Sequence, residues 1–357
     1  MENEQENEQI GLSWDNDVNS SFPPSLWRDP MPFVCGSFKP GEALAFLDSL
    51  EDDDTRACAR AEYAYFSGRP EAASEGMEPF LSHEDPLLRF PALTIYCFAN
   101  LSLGRIRLAR FGLSCVQESL ARGLKGQTDP QLRAVESFAA ETVSTLLHLP
   151  SPPTSLADEG IGFLPSGLKL FGLYVLAHRA YIDGAYERSL GMAETALALN
   201  VEPYPVPEIY LHLVACMDLM SLRRADEARD HFLAAWEIAR PDGLIEAFGE
   251  HHGLLQGLVE VCLKRDWPID YERVIDITYR FSSGWRKLHA LQTQEEVADN
   301  LTTTEFTVAM LANRGWTNKE IAAHMDISPS TVKHCVSAVY AKLGIANRRE
   351  LKRYMLR

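Results

Sequence analysis

The sequence predicts an all-α protein: a helical-repeat solenoid followed by a compact four-helix domain at the C-terminus. Three observations carry that prediction. Apolar residues recur at helical spacing from about Gly41 to Phe281, with few alternating β-branched runs. Within that span several stretches repeat one grammar of apolar helix, tight turn and alanine-rich packing positions. After Leu301, helix start and stop signals crowd together at intervals too short for anything but a small helical domain.

Length and charge bound the answer. At 357 residues the chain is long enough for two or three domains with sizeable cores. The formal net charge of −16 would normally argue against nucleic acid, but it is unevenly placed. Residues 301–357 hold nine Lys/Arg and four Asp/Glu, a net of +5, so the other 300 residues sum to −21. A basic module on an acidic body suits a regulator, because the body resists non-specific DNA while the module binds. The seven cysteines are scattered, odd in number and without a C-x-x-C pair, which suits buried free thiols in a reducing cytoplasm. The acidic start MENEQENEQ has no apolar stretch behind it and reads as no signal peptide. The longest uncharged apolar run, Phe90 to Gly104, falls short of the roughly 20 residues that span a bilayer. A cytoplasmic protein with no membrane partner is expected.

In chain order, residues 1–30 carry six carboxylates before the first basic residue, Arg28. They read as a disordered acidic tail, with Trp14 and Trp27 able to dock on the body, or alternatively as a partner-binding segment. Residues 31–150 form a first helical-repeat segment, with Gly68 and Gly104 at its turns. Leu149 to Ser155 is a Pro/Ser break. Residues 156–282 form a second repeat segment, where Gly184 is the clearest turn and Ala193, Ala196, Ala228 and Ala235 take packing positions. Small residues let paired helices approach closely, and each pair buries its apolar side against its neighbours. The repeats look like tetratricopeptide repeats of irregular spacing; an irregular helical bundle is the other reading. Residues 283–300 are a polar linker, helical or not, and expected to be mobile.

The final segment, 301–357, is the most legible. Thr302 to Glu305 and Thr317 to Glu320 are capping boxes. Asp326-Ile327 makes a tight turn in which Asp tolerates left-handed backbone. Ser328 caps a longer helix, Pro329 suits its first position and Gly344 its stop. Val332, Cys335, Val336, Val339, Tyr340 and Leu343 form its inward stripe. Its outward face, Ser330, Thr331, Lys333, His334, Ser337, Ala341 and Lys342, carries no carboxylate and can lie beside phosphates without repulsion. Two short helices joined by such a turn, the second longer and basic, make a helix-turn-helix. Asn347 to Tyr354 reads as a fourth helix.

LTTTEFTVAMLANRGWTNKEIAAHMDISPSTVKHCVSAVYAKLGIANRREL resembles the DNA-binding domain of LuxR-type bacterial transcription regulators. The matching residues include Glu305, Gly315, Asn318 to Ala322, Ile327-Ser328, Thr331 to Lys333, Lys342 to Gly344, Arg348 and Glu350-Leu351. The departures are Thr304 for Arg, Thr307 for Glu, Asp326 for a turn Gly and Cys335 for His. The resemblance implies that Lys333, His334 and Ser337 face base edges, and that Thr317, Lys319, Thr331 and Lys342 contact phosphates. It also implies a dimer seam at Leu351, Tyr354 and Met355. LuxR-type regulators of the MalT-like sort carry similar solenoids, which extends the resemblance weakly over the body.

No other chemistry competes. There is no G-x-x-x-x-G-K-[ST], G-x-S-x-G or H-E-x-x-H, and no receiver-like β/α pattern, so neither an ATP-dependent regulator nor an enzyme is expected, and no cofactor. Glu246, Glu250, His251 and His252 cluster in PDGLIEAFGEHHG, as a metal site or as polar contacts at a repeat junction. Nearby Phe248, Trp267, Tyr271, Tyr279, Phe281 and Trp285 are core, or line a groove for a small aromatic ligand or a peptide. The expected partners are double-stranded DNA, bound as a homodimer, an effector that is a small molecule or a protein, and RNA polymerase. The alternative is a helical-repeat adaptor with an accessory basic domain.

Overall fold

The structure is a computed structural model that describes residues 29–123, 129–150, 152, 156–157, 160–293 and 301–355. The acidic tail with Trp14 and Trp27, and most of the Pro/Ser break, lie outside the described residues. The body comprises α1 (Ala43–Ser49), α2 (Asp53–Phe66), α3 (Pro70–Met77), α4 (Pro86–Ser102), α5 (Ile106–Gly123), α6 (Pro130–Leu146) and α7 (Ser166–Ile182). It continues with α8 (Tyr186–Leu199), α9 (Pro205–Ser221), α10 (Ala225–Ala239), α11 (Glu246–Glu250), α12 (Leu258–Leu263) and α13 (Pro268–Thr293). The last domain has α14 (Thr303–Asn313), α15 (Asn318–His324), α16 (Pro329–Leu343) and a 3-10 segment, Arg348–Arg353. Among the described residues there is no strand, and no helix is long and apolar enough to cross a membrane.

Local chemistry explains where these helices begin. The Asp52, Asp85 and Asp129 carboxylates accept from backbone N–H groups of the first turns of α2, α4 and α6. Pro86 and Pro130 then occupy the first position, where no donor is missed. The hairpin turns share one geometry. Gly68, Gly104 and Gly184 sit at φ 77°, 67° and 78°. In each, the glycine N–H bonds the carbonyl three residues back and the next N–H bonds the one five back. The α9–α10 turn repeats both bonds with Arg223, a non-glycine held at φ 62°.

Consecutive helices from α2 to α10 pack against one another. The C-terminal part of the body then folds back on the beginning. α11 packs on α9 and α2, and α13 on α4, α5 and α11. At Gly284 the approach of α13 to α4 is so close that an added Cβ would sit 1.8 Å from the Leu101 carbonyl oxygen. Asp242 accepts from the Gly41 and Ala43 N–H groups at 2.6 and 3.1 Å, and Phe38 N–H bonds Pro203 O at 3.1 Å. One buried cluster therefore spans residues on both sides of the Pro/Ser break, and Arg179 pairs with Glu141 across it at 3.3 Å. The segment boundary drawn at 283 falls inside α13, which runs to Thr293; residues 294–300 lie outside the described residues.

Candidate nucleic-acid interface

Three caps build the C-terminal domain. Thr302 and Thr317 each accept from the N–H three residues on, and Glu305 and Glu320 reach back to the cap N–H, completing both capping boxes. Ser328 accepts from Thr331 N–H at the head of α16. Asp326 lies at φ 51°, so the turn takes the left-handed backbone without glycine, and Gly344 ends α16 at φ 65°. Val308, Leu311, Ile321, Val332 and Val339 bury the shared stripe. The expected fourth helix is instead the 3-10 segment. Arg348 ties it to the Ala312 carbonyl of α14 and to the Trp316 carbonyl in the turn after α14.

The residues assigned to base edges, Lys333, His334 and Ser337, are all exposed on α16. Ser337 donates to Lys333 O at 3.0 Å, so its hydroxyl proton is engaged within its own helix. Of the residues assigned to phosphates, Thr317, Lys319 and Thr331 are exposed around the N-termini of α15 and α16. Beyond the N–H groups taken by the caps, these ends present the remaining first-turn N–H groups and the positive pole of the helix dipole. Lys342 is also exposed, but its Nζ lies 2.6 Å from Glu305. Although partly desolvated, Glu305 is held below the usual carboxylate range by Lys342 and Thr302. Cys335 is half-buried at the stripe's edge, and desolvation, then the Glu305 charge, pushes its thiol up. Leu351 and Met355 are buried in the protomer's own core, and Tyr354 is half-buried. A seam through Leu351 and Met355 would have to draw both out of that core, so of the three expected seam residues Tyr354 alone keeps surface to offer.

Sequence reasoning missed the contacts that seat this domain on the body. Arg314, at the end of α14, donates to the Tyr181 and Tyr186 hydroxyls at 2.6 and 2.7 Å, its guanidinium over both rings. Arg223 donates to the Arg314 carbonyl at 3.2 Å and lies 3.8 Å from Glu320. His324 bonds the Gln256 carbonyl at 2.9 Å. Phe306 packs on Gly253, where an added Cβ would sit 2.6 Å from its ring. The usable signals were the glycines at 253 and 257, but neither names its partner.

The Glu/His cluster forms hydrogen bonds. Glu246 accepts from Ser102, Glu250 from Tyr65 and Tyr210, His251 bonds Tyr174 and Ala247 O, and His252 pairs with Glu260 at 2.9 Å. Among the described residues no group of three or more His, Cys, Asp or Glu could hold a metal. All seven cysteines are free thiols.

Comparison with known proteins agrees with this geometry. Residues 299–355 match the family described as bacterial regulatory proteins, luxR family. A protein of Mycobacterium bovis and one of Mycobacterium tuberculosis, both named as candidate HTH-type transcriptional regulators, are each 36% identical over 87 residues, covering 20% of this chain. A third, from another M. tuberculosis strain and named likewise, is 34% identical over 87 residues and covers the same 20%. The chain spans about a tenth of the length of these curated relatives. No solved structure matches. With its capped α14 and α15, the Asp326 turn and the basic α16 in place, the segment 299–355 is a LuxR-family helix-turn-helix domain.

Proposed function

We propose that the protein is a one-component, sequence-specific DNA-binding transcription regulator whose helical-repeat body receives an effector. The observation that carries this reading is the exposed, carboxylate-free face of α16 beside the capped N-termini of α15 and α16. That face offers Lys333, His334 and Ser337 to the major groove, while Thr317, Lys319, Thr331 and Lys342 contact phosphates. The acidic body limits binding to random DNA. One such module has a small footprint, so two copies would bind half-sites about 10 base pairs apart, as a homodimer. RNA polymerase is the downstream partner and the cytoplasm the setting. Mobility shift with genomic fragments is the test. Lys333→Ala should cost about 1–3 kcal/mol on the selected site and relax base preference, whereas Lys319→Ala should weaken all sequences alike. Equal retention of every fragment by the folded chain would sink the reading.

The alternative, an adaptor with an accessory basic domain, has one observation in its favour. An open groove of about 800 Å³ lies along α7 and α8, with Leu199 and Val201 exposed at its rim. Failure to shift any fragment, with retention of a partner through that groove, would favour it.

A further inference from the structure

Beneath Phe306, where the LuxR domain meets the body, lies a cavity of about 90 Å³. His148, His178, His251, Phe281, Trp285 and Phe306 supply the rings of its wall. Arg286 and Glu250 also border it; burial pushes the Glu250 carboxyl up and holds the three imidazoles below their ordinary value, so the rest of the wall favours a neutral molecule. His148 is held in left-handed backbone at φ 51°, with its ring edge-on to Trp285 at 5.2 Å. Non-glycine residues in that conformation carry strain and concentrate at functional sites.

A chain of hydrogen bonds fixes what one wall group lacks. His251 Nδ1 lies 2.8 Å from the Ala247 carbonyl oxygen, so this nitrogen carries the proton and Nε2 accepts. The Tyr174 hydroxyl, 2.8 Å from that Nε2, gives its single proton there. Its oxygen therefore accepts from His178 Nδ1 at 3.0 Å. His178 Nε2 is left as a bare acceptor, buried and without a partner. Burial, then the neighbouring His251, holds the imidazole well below its usual pKa, so protonation does not relieve the vacancy. A buried acceptor without a donor is costly, and His178 is one of the residues that line the cavity.

We propose that this cavity binds a small uncharged aromatic molecule carrying one hydroxyl or ring N–H, which donates to His178 Nε2 while its ring packs among Trp285, Phe281 and Phe306. The proposal rests on the reading of the body as the effector-receiving part. The cavity is smaller than the roughly 150 Å³ that accommodates a benzene ring, so entry must displace a wall group. Phe306 is half-exposed and belongs to the DNA-binding domain, so its side of the wall yields most easily. Occupancy then bears on how that domain is seated.

The test is calorimetric titration of the full chain, without DNA, using phenol, toluene and benzoate as probes. Saturable phenol binding is expected, with benzoate weaker. In His178→Phe the ratio of phenol to toluene affinity should fall at least tenfold. Ser282→Met, at a half-buried position on the wall, should abolish binding of both neutral probes with the melting temperature retained. No saturable phenol binding, an unchanged ratio in folded His178→Phe, or tighter benzoate would overturn the assignment. Should His178→Phe not fold, undiminished phenol binding by Ser282→Met overturns it. DNA retention is scored on the same preparation. Its loss with phenol binding intact would defeat the regulator reading while supporting the cavity.

Discussion

Arg314 donates to the Tyr181 hydroxyl across 2.6 Å, tying the end of the first LuxR-domain helix to the end of α7 in the body. The same guanidinium reaches Tyr186, and the buried carboxyl of Asp218 feels its charge. Arg223 completes the joint from a backbone conformation that side chains rarely adopt.

If this joint seats the domain, Arg314→Ala should loosen α14 and α15 without opening the body. Charge-assisted bonds of this kind contribute about 1.5–3 kcal/mol. Amide exchange in α14 should accelerate, while exchange in α9 stays unchanged. Equal acceleration in both would mean that Arg314 supports the whole fold rather than the joint.

The dimer seam is the expectation that the structure reshapes most. Leu351 is 1% exposed inside the domain. Leu351→Asp should therefore unfold the domain rather than separate two folded copies, and Leu351→Ala should cost about 2–5 kcal/mol. Tyr354→Ser, at a half-buried position, is the cleaner probe of association on DNA. A melting curve for Leu351→Asp that matches the parent would contradict this placement.

Legibility followed the range of the interaction. Thr302, Thr317, Ser328, Asp326 and Gly344 act on backbone within a few residues, and each was readable from its neighbours. The turns at Gly68, Gly104 and Gly184 were readable for the same reason. Composition marked Trp285 as core or groove wall and His251 as a metal ligand or a polar contact, but it carries no information about which helix lies opposite. The fold-back of α13 onto α4 is set by Gly284 meeting a carbonyl more than 180 residues earlier, which no local pattern encodes. Arg223 escaped notice because a left-handed turn is normally marked by glycine. The fourth helix takes 3-10 geometry, and Arg348 at its start donates to Ala312 and Trp316 carbonyls more than 30 residues earlier, which no local pattern encodes.

Buried carboxyls make stability depend on pH. Burial pushes Glu62 up to about 8, although it accepts from Phe33 and Val34 N–H. Burial likewise pushes Asp218 up to about 8 against the opposing effects of Ser189 and Arg314. Their folded values exceed the unfolded ones, so the stabilisation is complete below about pH 4 and is lost as pH rises towards 8. Buried His148 and His251 are lowered to about 3 and 4, and their contribution is lost only as pH falls below about 6.5. His178, His212, His231 and His324 are lowered as well, so the carboxyls dominate only where the unfolded imidazoles are mostly neutral, from about pH 7 to 8. Stability should fall there by up to about 1.4 kcal/mol per unit for each, and Glu62→Gln or Asp218→Asn should flatten the slope. Denaturant titrations at pH 7 and 8 that coincide would exclude it.

Cys335 is the departure nearest the DNA face, and Glu305 decides what a histidine there would do. The carboxylate already pairs with Lys342 and lies close enough to raise the Cys335 thiol. In Cys335→His the same charge would favour imidazolium and move its titration above the ordinary 6.5. It would also compete with phosphate for the ring N–H. The substitution should thus tighten cognate and random DNA together, because phosphates carry no sequence information. The gain should grow as pH falls through 7 and enlarge further in Glu305→Gln, where the competitor loses its charge. Fluorescence anisotropy at pH 6 and 8 on both DNAs measures it. A gain confined to the cognate site would make position 335 a base-reading position, and no gain at either pH would make Cys335 a filler of the α16 core edge.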